Sequence, residues 1–303
     1  MTGLEAKELI TIIGAFAGLL ALVLEFWHYR GQSVFHGIDA WVNVLLGAVA
    51  MAVEATMYGL FAAAIVTWCH EQRVATIPSN VWTVLLLLVL GDLCIYVNHR
   101  LNHRVRFFWA THALHHSSEY MNLTTAMRRS ALTLFVGASW VTYLPLVLIG
   151  FDPGWMMFVM AVNLIYQYFL HTQWVPRLHP LIEFIFNTPS HHRVHHARNA
   201  GYIDRNYGGI LIIFDRMFGT FAQEESSQPP DYGAIHRPGS FNPLWLTVHE
   251  GLALWQDMKQ PGPLWARLGH LWQPPEWVRT ASDARGASGV RRSPHQATSL
   301  PFE

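Results

Sequence analysis

Long apolar runs separated by short polar stretches fill the first 170 residues. Five of them, at 9–27, 42–69, 81–97, 131–149 and 154–170, approach the ~20 residues that a helix needs to cross a ~30 Å hydrocarbon core. The second is long enough to tilt. The first has neither a cationic leader nor an A-x-A site, so it reads as a retained helix and not a signal peptide. "GFDPG" at 150–154 is a tight turn, which makes the last two runs a hairpin. Arg100, Arg104, Arg106, Arg128 and Arg129 all fall between the third and fourth runs, which predicts a cytoplasmic loop there. After the hairpin, everything from His171 onward faces the cytoplasm as well.

The pattern therefore predicts an all-α integral membrane helical bundle of about four to five spans with a cytoplasmic helical cap. Residues 1–80 would hold the N-terminal transmembrane helices and 81–222 the main domain. In 223–280, short amphipathic helices at 243–258 and 263–272, rich in Trp and Leu, are expected to lie along the membrane interface. The 281–303 tail has few apolar anchors and is expected to be disordered.

Composition agrees. Charged residues make up 13% of the chain and hydrophobic ones 51%, against about 25% charged in a soluble protein. A formal net charge of zero gives no reason to expect a nucleic-acid partner. Cys69 and Cys94 form no CxxC pair, which disfavours an iron–sulfur cluster, c-type haem attachment or a redox dithiol.

The chemistry lies in histidine: eleven of the eighteen fall within 99–116 and 171–196. "HRLNH" carries His99 and His103, an i,i+4 pair continuing from the third run. "HALHH" carries His112, His115 and His116; "HRVHH" carries His192, His195 and His196. On a helix each spacing directs its rings to one side. His171 stands at the end of the fifth run. Neutral imidazole is a good ligand for iron, copper, zinc and nickel. Nine candidate ligands exceed the four of one tetrahedral zinc and suggest a metal-binding cap holding two metals. Solvated histidines without metal are a fair competing reading for one HxxH, but a poor one for three clusters in one compartment. His28, His36, His70, His236, His249, His270 and His295 stand alone. His179 and His191 lie near a cluster but outside its spacing, so they are expected to support the ligands.

The stretches "GDLCIYVNHRLNHRVRFFWATHALHHSSEYMNLTTAMRRS" and "NTPSHHRVHHARNAGYIDRNYGGILIIFDRMFGTF" resemble the fatty acid hydroxylase superfamily, which includes the sterol desaturases. "HHSSEYMNLTTAMRRS" and "TPSHHRVHH" look most like its alkylglycerol monooxygenase branch and bacterial relatives. The likeness covers about residues 85–222 and implies three histidine boxes at a cytoplasmic membrane face holding a non-haem di-iron centre. It further implies O2-dependent hydroxylation, or desaturation, of a lipid drawn from the bilayer. The membrane would be a bacterial inner membrane or the endoplasmic reticulum. Some members place a further HxxxH pair near His171; here Gln167 and Val175 occupy those positions, which favours nine ligands completed by water or a carboxylate. Asp92, Glu119 and Asp204 are the nearest carboxylates, expected to hydrogen-bond ligand imidazoles. "NYGG" at 206–209 would close the site, its glycines permitting positive φ and Asn206 and Tyr207 bonding to ligands. Arg193 is expected to pair with a carboxylate, and Glu54, costly in lipid, with a polar neighbour inside the bundle.

The chain carries neither G-x-G-x-x-G nor HPGG, so a separate ferredoxin, cytochrome b5 or tetrahydrobiopterin would supply electrons. The competing class is a histidine-rich membrane metal transporter or metal-binding protein, but its ligands should line the spans at mid-depth. A di-haem cytochrome would space its histidines singly within helices, and a zinc protease would carry HExxH, which is absent.

Overall fold

The computed structural model describes residues 1–136 and 141–279. Among them every named element is helical, and β pairing is limited to isolated bridges such as Phe186 with Leu211. The Thr2 hydroxyl accepts the Glu5 amide while the Glu5 carboxylate accepts the Thr2 amide. This reciprocal box starts α1 (Gly3–His28). Next, α2 (Gly37–Met57) passes through a π-helical turn, Tyr58–Ala62, into α3 (Ala63–Glu71). The long apolar run at 42–69 is thus one helical path with a π insert.

Asn80 caps α4 (Val81–Arg104). Its 24 residues make about 36 Å at ~1.5 Å per residue, more than a ~30 Å core requires. The surplus is the last turns, which carry His99 and His103. One extended residue, Val105, separates it from α5 (Arg106–His116). A 3-10 turn, Leu123–Met127, follows.

The expected span at 131–149 does not form a single helix. Residues 137–140 lie outside the described ones; beside them are one helical turn, Thr133–Val136, and α6 (Leu144–Ile149). Pro145 accounts for the fresh start. Inside a longer helix it would lack an N–H and clash with the carbonyl four residues back, whereas here it occupies the first turn of α6. The turn into α7 (Pro153–Leu170) is as expected. Gly150 sits at φ +126, and a Cβ there would lie 2.1 Å from the Ala75 carbonyl oxygen, so both conformation and space demand glycine.

Among the described residues three helices, α1, α2 and α4, are long and apolar enough to cross a membrane. Outward-facing Ile12, Phe16 and Leu20 on α1 and Trp82 and Leu86 on α4 would meet lipid. α7 runs parallel to α1. A Cβ on Gly3 would fall 2.2 Å from the Trp155 nitrogen, and one on Gly14 2.6 Å from Ile165; small residues at 3, 14 and 18 let the two backbones close together. At the end of the bundle where α1 begins, Val66, Cys69, Leu87, Val147 and Val159 form the largest apolar cluster.

The opposite end carries the cap, with α8 (Pro180–Ile185), α9 (Pro189–His195) and α10 (Ile213–Met217). A buried ion pair, Arg128 to Asp39 at 3.0 Å, ties it to α2, with Asn43 and Ser117 also accepting from the guanidinium. The two amphipathic segments fold as α11 (Pro243–Lys259) and α12 (Leu264–Gly269). Leu246 of α11 packs with Val42, Leu46 and Leu114. The tail at 281–303, with His295, lies outside the described residues.

Candidate metal centre

Both histidine windows meet at one end of the bundle because four segments end there. α4 delivers His99 and His103 in its last turns and α5 delivers His112, His115 and His116 in its own. His171 terminates α7, while α9 supplies His192 and His195 with His196 at its cap. α9 is short but well anchored. Pro189 occupies its first turn, and Thr188 at its start exchanges contacts with His191.

The nine rings fall into two sets. His99, His103, His112, His116 and His195 form one; His115, His171, His192 and His196 form the other. Within each, one ring nitrogen per residue lies within 4.8 Å of all the others. The sets adjoin, with the His116 and His196 rings stacked at 4.5 Å. Neither HxxHH box stays whole. His112 and His116 enter the first set and His115 the second; His192 and His196 enter the second and His195 the first. The i,i+4 partners remain together, since one helical turn places them on the same stripe, and the intervening ring turns to the neighbouring set.

Hydrogen bonding fixes which nitrogens face inward. The Nδ1 atoms of His99 and His195 donate to the carbonyls of Tyr207 at 3.0 Å and Arg205 at 2.9 Å. Those of His115 and His171 donate to Arg128 at 3.2 Å and Gln167 at 2.8 Å. A carbonyl only accepts, so a neutral ring bonded this way carries its lone pair on Nε2. The Nε2 atoms of His99, His103, His195 and His196 are buried without a partner. In the second set, His115 Nε2 and His171 Nε2 face each other at 3.2 Å, lone pair against lone pair. His192 Nε2 lies 2.9 Å from His171 Nε2. A cation bound between these nitrogens would turn the repulsion into coordination.

Protonation would not relieve it. Burial pushes the pKa of His116, His192, His195 and His196 well below the ordinary value, aided by neighbouring imidazoles. Burial also brings His171 down to about 4, against the pull of its own backbone bonds. These five rings are therefore neutral near pH 7, the state in which imidazole binds metal. Orphaned nitrogens and facing lone pairs fit two metal ions.

The loop after α9 supports the five-membered set. Asp204 and Asn206 both adopt left-handed backbone, at φ 60 and 58, which Asp and Asn tolerate better than most residues. The bends aim the Arg205 and Tyr207 carbonyls at two rings and set Asp204 Oδ1 3.4 Å from His103 Nδ1. Asp204 also pairs with Arg104 at 2.6 Å. Desolvation raises its pKa, but these two partners hold the carboxyl below its ordinary value.

Other expected supports lie elsewhere. Asp92 is buried but bonds to Asn163 and to the Ile210 and Leu211 amides, so it fastens the 207–211 segment to α4 and touches no histidine. Glu119 pairs at the surface with Arg237. His179 is exposed and caps α8. His191 is buried against Glu183, Nε2 to Oε2 at 2.9 Å. The Asn206 side chain braces the loop by bonding to the His191 and Ala222 carbonyls without contacting a ligand ring. Gly208 and Gly209 are required by crowding and not by φ, since a Cβ on Gly209 would lie 2.5 Å from Asp92 Oδ1 and Asn163 Oδ1. Arg193 pairs with Glu224 as expected, and Glu54 with Arg129.

Sequence reasoning missed the Arg128, Gln167 and Arg205 carbonyls, which have no side-chain signature. It also missed Glu25, a fully buried acid of α1 that accepts from the Leu123 amide and the Thr172 hydroxyl. Its signal was an acid inside an apolar run.

A family profile described as fatty acid hydroxylase matches residues 84–220, a span that contains all nine histidines of the two sets. Alkylglycerol monooxygenase from Danio rerio is 43% identical over 200 residues, covering 66% of this chain and 44% of that protein. The Homo sapiens enzyme of the same name is 34% identical over 267 residues, covering 86% and 57%. An ornithine lipid hydroxylase from Rhizobium tropici is 29% identical over 233 residues, covering 74% and 68%. The chain thus spans about half the length of the alkylglycerol monooxygenases it matches. No solved structure matches it.

Proposed function

We propose that the chain, whose residues 84–220 match the fatty acid hydroxylase family profile, is a membrane-embedded di-iron oxygenase acting on a lipid. The observation that carries it is the pair of histidine sets, above all the opposed His115 and His171 nitrogens. Iron, when bound by the nine rings, supplies redox chemistry with O2 that zinc lacks. One oxygen atom enters a C–H bond and the other leaves as water. Two electrons and two protons come from a separate donor, a ferredoxin, cytochrome b5 or tetrahydrobiopterin.

The protein's part is positional. Backbone carbonyls and Asp204 hold the imidazoles in one tautomer, and burial keeps water from seven of the nine rings. The centre sits just past the apolar length of α4, so a lipid can present its polar end while its tail stays in the bilayer. Hydroxylation of an alkylglycerol is the favoured reaction, given the names of relatives at 34% and 43% identity. The cap is assigned to the cytoplasmic side on the strength of the five arginines between 100 and 129. A transporter reading is weaker: within α1, α2 and α4 the histidines stand only at the helix ends, at 28, 99 and 103.

Iron-loaded full-length protein, purified in detergent, tests this. Metal analysis should give about two irons per chain, Mössbauer spectra should show high-spin non-haem iron, and an alkylglycerol should be hydroxylated with O2 and reductant. Haem absorbance, or one metal per chain with full activity, would overturn the di-iron reading.

A further inference from the structure

Glu25 is fully buried on α1, a helix apolar enough to cross a membrane. An acid there is costly and calls for a use. It also lies outside residues 84–220, the stretch that the family profile matches, so that match does not account for it.

Its two oxygens serve two separate segments. Oε2 accepts the Leu123 amide at 2.8 Å, and Oε1 accepts the Thr172 hydroxyl. Leu123 opens the 3-10 turn that Arg128 caps, and the Arg128 carbonyl accepts His115 Nδ1 at 3.2 Å. Thr172 directly follows His171. One carboxylate therefore joins the turn behind His115 to the residue beside His171. These are the two rings whose Nε2 atoms face each other at 3.2 Å.

Thr172 passes the connection on. Its hydroxyl accepts the Trp174 amide at 3.0 Å, and its carbonyl accepts Arg193 Nη1 at 3.2 Å. Arg193 follows His192 on α9, and His192 Nε2 lies 2.9 Å from His171 Nε2. The link thus runs behind three of the four rings of the smaller set. The supports of the five-membered set, Asp204 and the Arg205 and Tyr207 carbonyls, come from the loop after α9 instead.

We propose that Glu25 is a positioning residue for the four-membered set, fixing the separation of His115 and His171 through Leu123 and Thr172. It acts without touching either ring. The inference rests on the two-metal reading above and adds that α1 governs how one of the two metals is held. Gln173 donates to the Met121 carbonyl at 3.0 Å and joins the same two segments at a part-buried point. Loss of the carboxylate should therefore loosen the separation without parting the segments.

The test adds cobalt(II) stepwise to metal-free, full-length protein in detergent, with d–d absorption reporting coordination at each step. Wild type should bind two, and the step missing in His171→Ala identifies the four-membered set. Glu25→Leu keeps the size of the side chain and suits an apolar helix, but accepts no hydrogen bond. It should weaken that step by about tenfold, the lower end of the usual cost of losing a partner behind a metal ligand, and change the absorption of that step alone. Thr172→Val should do the same, and the double variant should lose no more than either single one, because both cut one link. Glu25→Gln keeps an oxygen for the Leu123 amide and should recover part of the affinity. Equal weakening of both steps, or a lower melting temperature with both steps unchanged, would mean a purely structural acid and overturn the proposal. If Glu25→Leu fails to fold, Thr172→Val decides by the same criteria. A selective loss in the variants of a protein that, loaded with iron, oxidises no lipid would defeat the oxygenase reading and leave the role of Glu25 standing.

Discussion

His103 of the five-membered set leans on a carboxylate, Asp204, which Arg104 holds in turn. The paired rings of the four-membered set, His115 and His171, lean instead on the Arg128 and Gln167 carbonyls. The support of the first set comes from one loop after α9, bent at two left-handed residues. That of the second comes from chain segments adjoining the spans. A carboxylate behind an imidazole raises its basicity as a ligand, and a carbonyl does so less. The five-membered set therefore has more donors and one stronger donor, and should hold its metal more tightly. With one nitrogen fewer, the other set would leave more of a bound metal's coordination to groups the protein does not supply.

The sharpest test of this asymmetry removes one ring from each set. His171→Ala leaves three imidazoles where four stood, and the metal count after gel filtration should fall from about two to about one per chain. His103→Ala leaves four, as many as a structural zinc requires, and should retain close to two metals. Turnover should vanish in the first variant. If both variants lose the same metal fraction, the sets are not unequal.

Asp204 provides the next largest effect. Asp204→Ala removes the carboxylate from His103 and leaves Arg104 with Glu276, at 3.3 Å, as its remaining ion-pair partner. Affinity at the five-membered set should drop by roughly 10–100-fold, the usual cost of losing a partner that orients a metal ligand. The four-membered set should be untouched. Stepwise metal titration with a competing chelator separates the two sites, and an equal weakening of both would contradict the idea that one loop serves one set.

The grouping of the nine histidines was legible because helical periodicity prints it in the sequence: i,i+4 histidines stay together in space. Which set the third ring of each box joins was not legible, because the answer depends on how α5 and α9 face one another, and local spacing carries no such information. The supports were read less well. Asp204 touches a clustered histidine, His103, but Asp92 and Glu119 touch none, and nothing local distinguishes the three acids. Their roles follow from elements distant in the chain, as when Asp92 receives the Ile210 amide 118 residues away. α4 was visible as an apolar run, and the hairpin turn was marked by Gly150. The break in the run at 131–149 was signalled by Pro145, which mean apolarity hides.

The smallest effect concerns residues that sit beside the boxes in sequence and away from both sets in space. Glu119 and Arg237 form a half-exposed pair at 3.1 Å, 44% and 47% accessible, the kind that contributes about 0–1 kcal/mol. His179 is exposed, and its side chain accepts only the Leu181 amide at the start of α8. Glu119→Ala and His179→Ala should each leave two metals bound and change stability by no more than about 1 kcal/mol, near the range of ordinary surface substitutions. Metal analysis and thermal melts of the two variants check this. A lost metal in either would mean that a carboxylate or a tenth histidine reaches one set when metal binds. The count of five against four, on which the asymmetry rests, would then have to be redrawn.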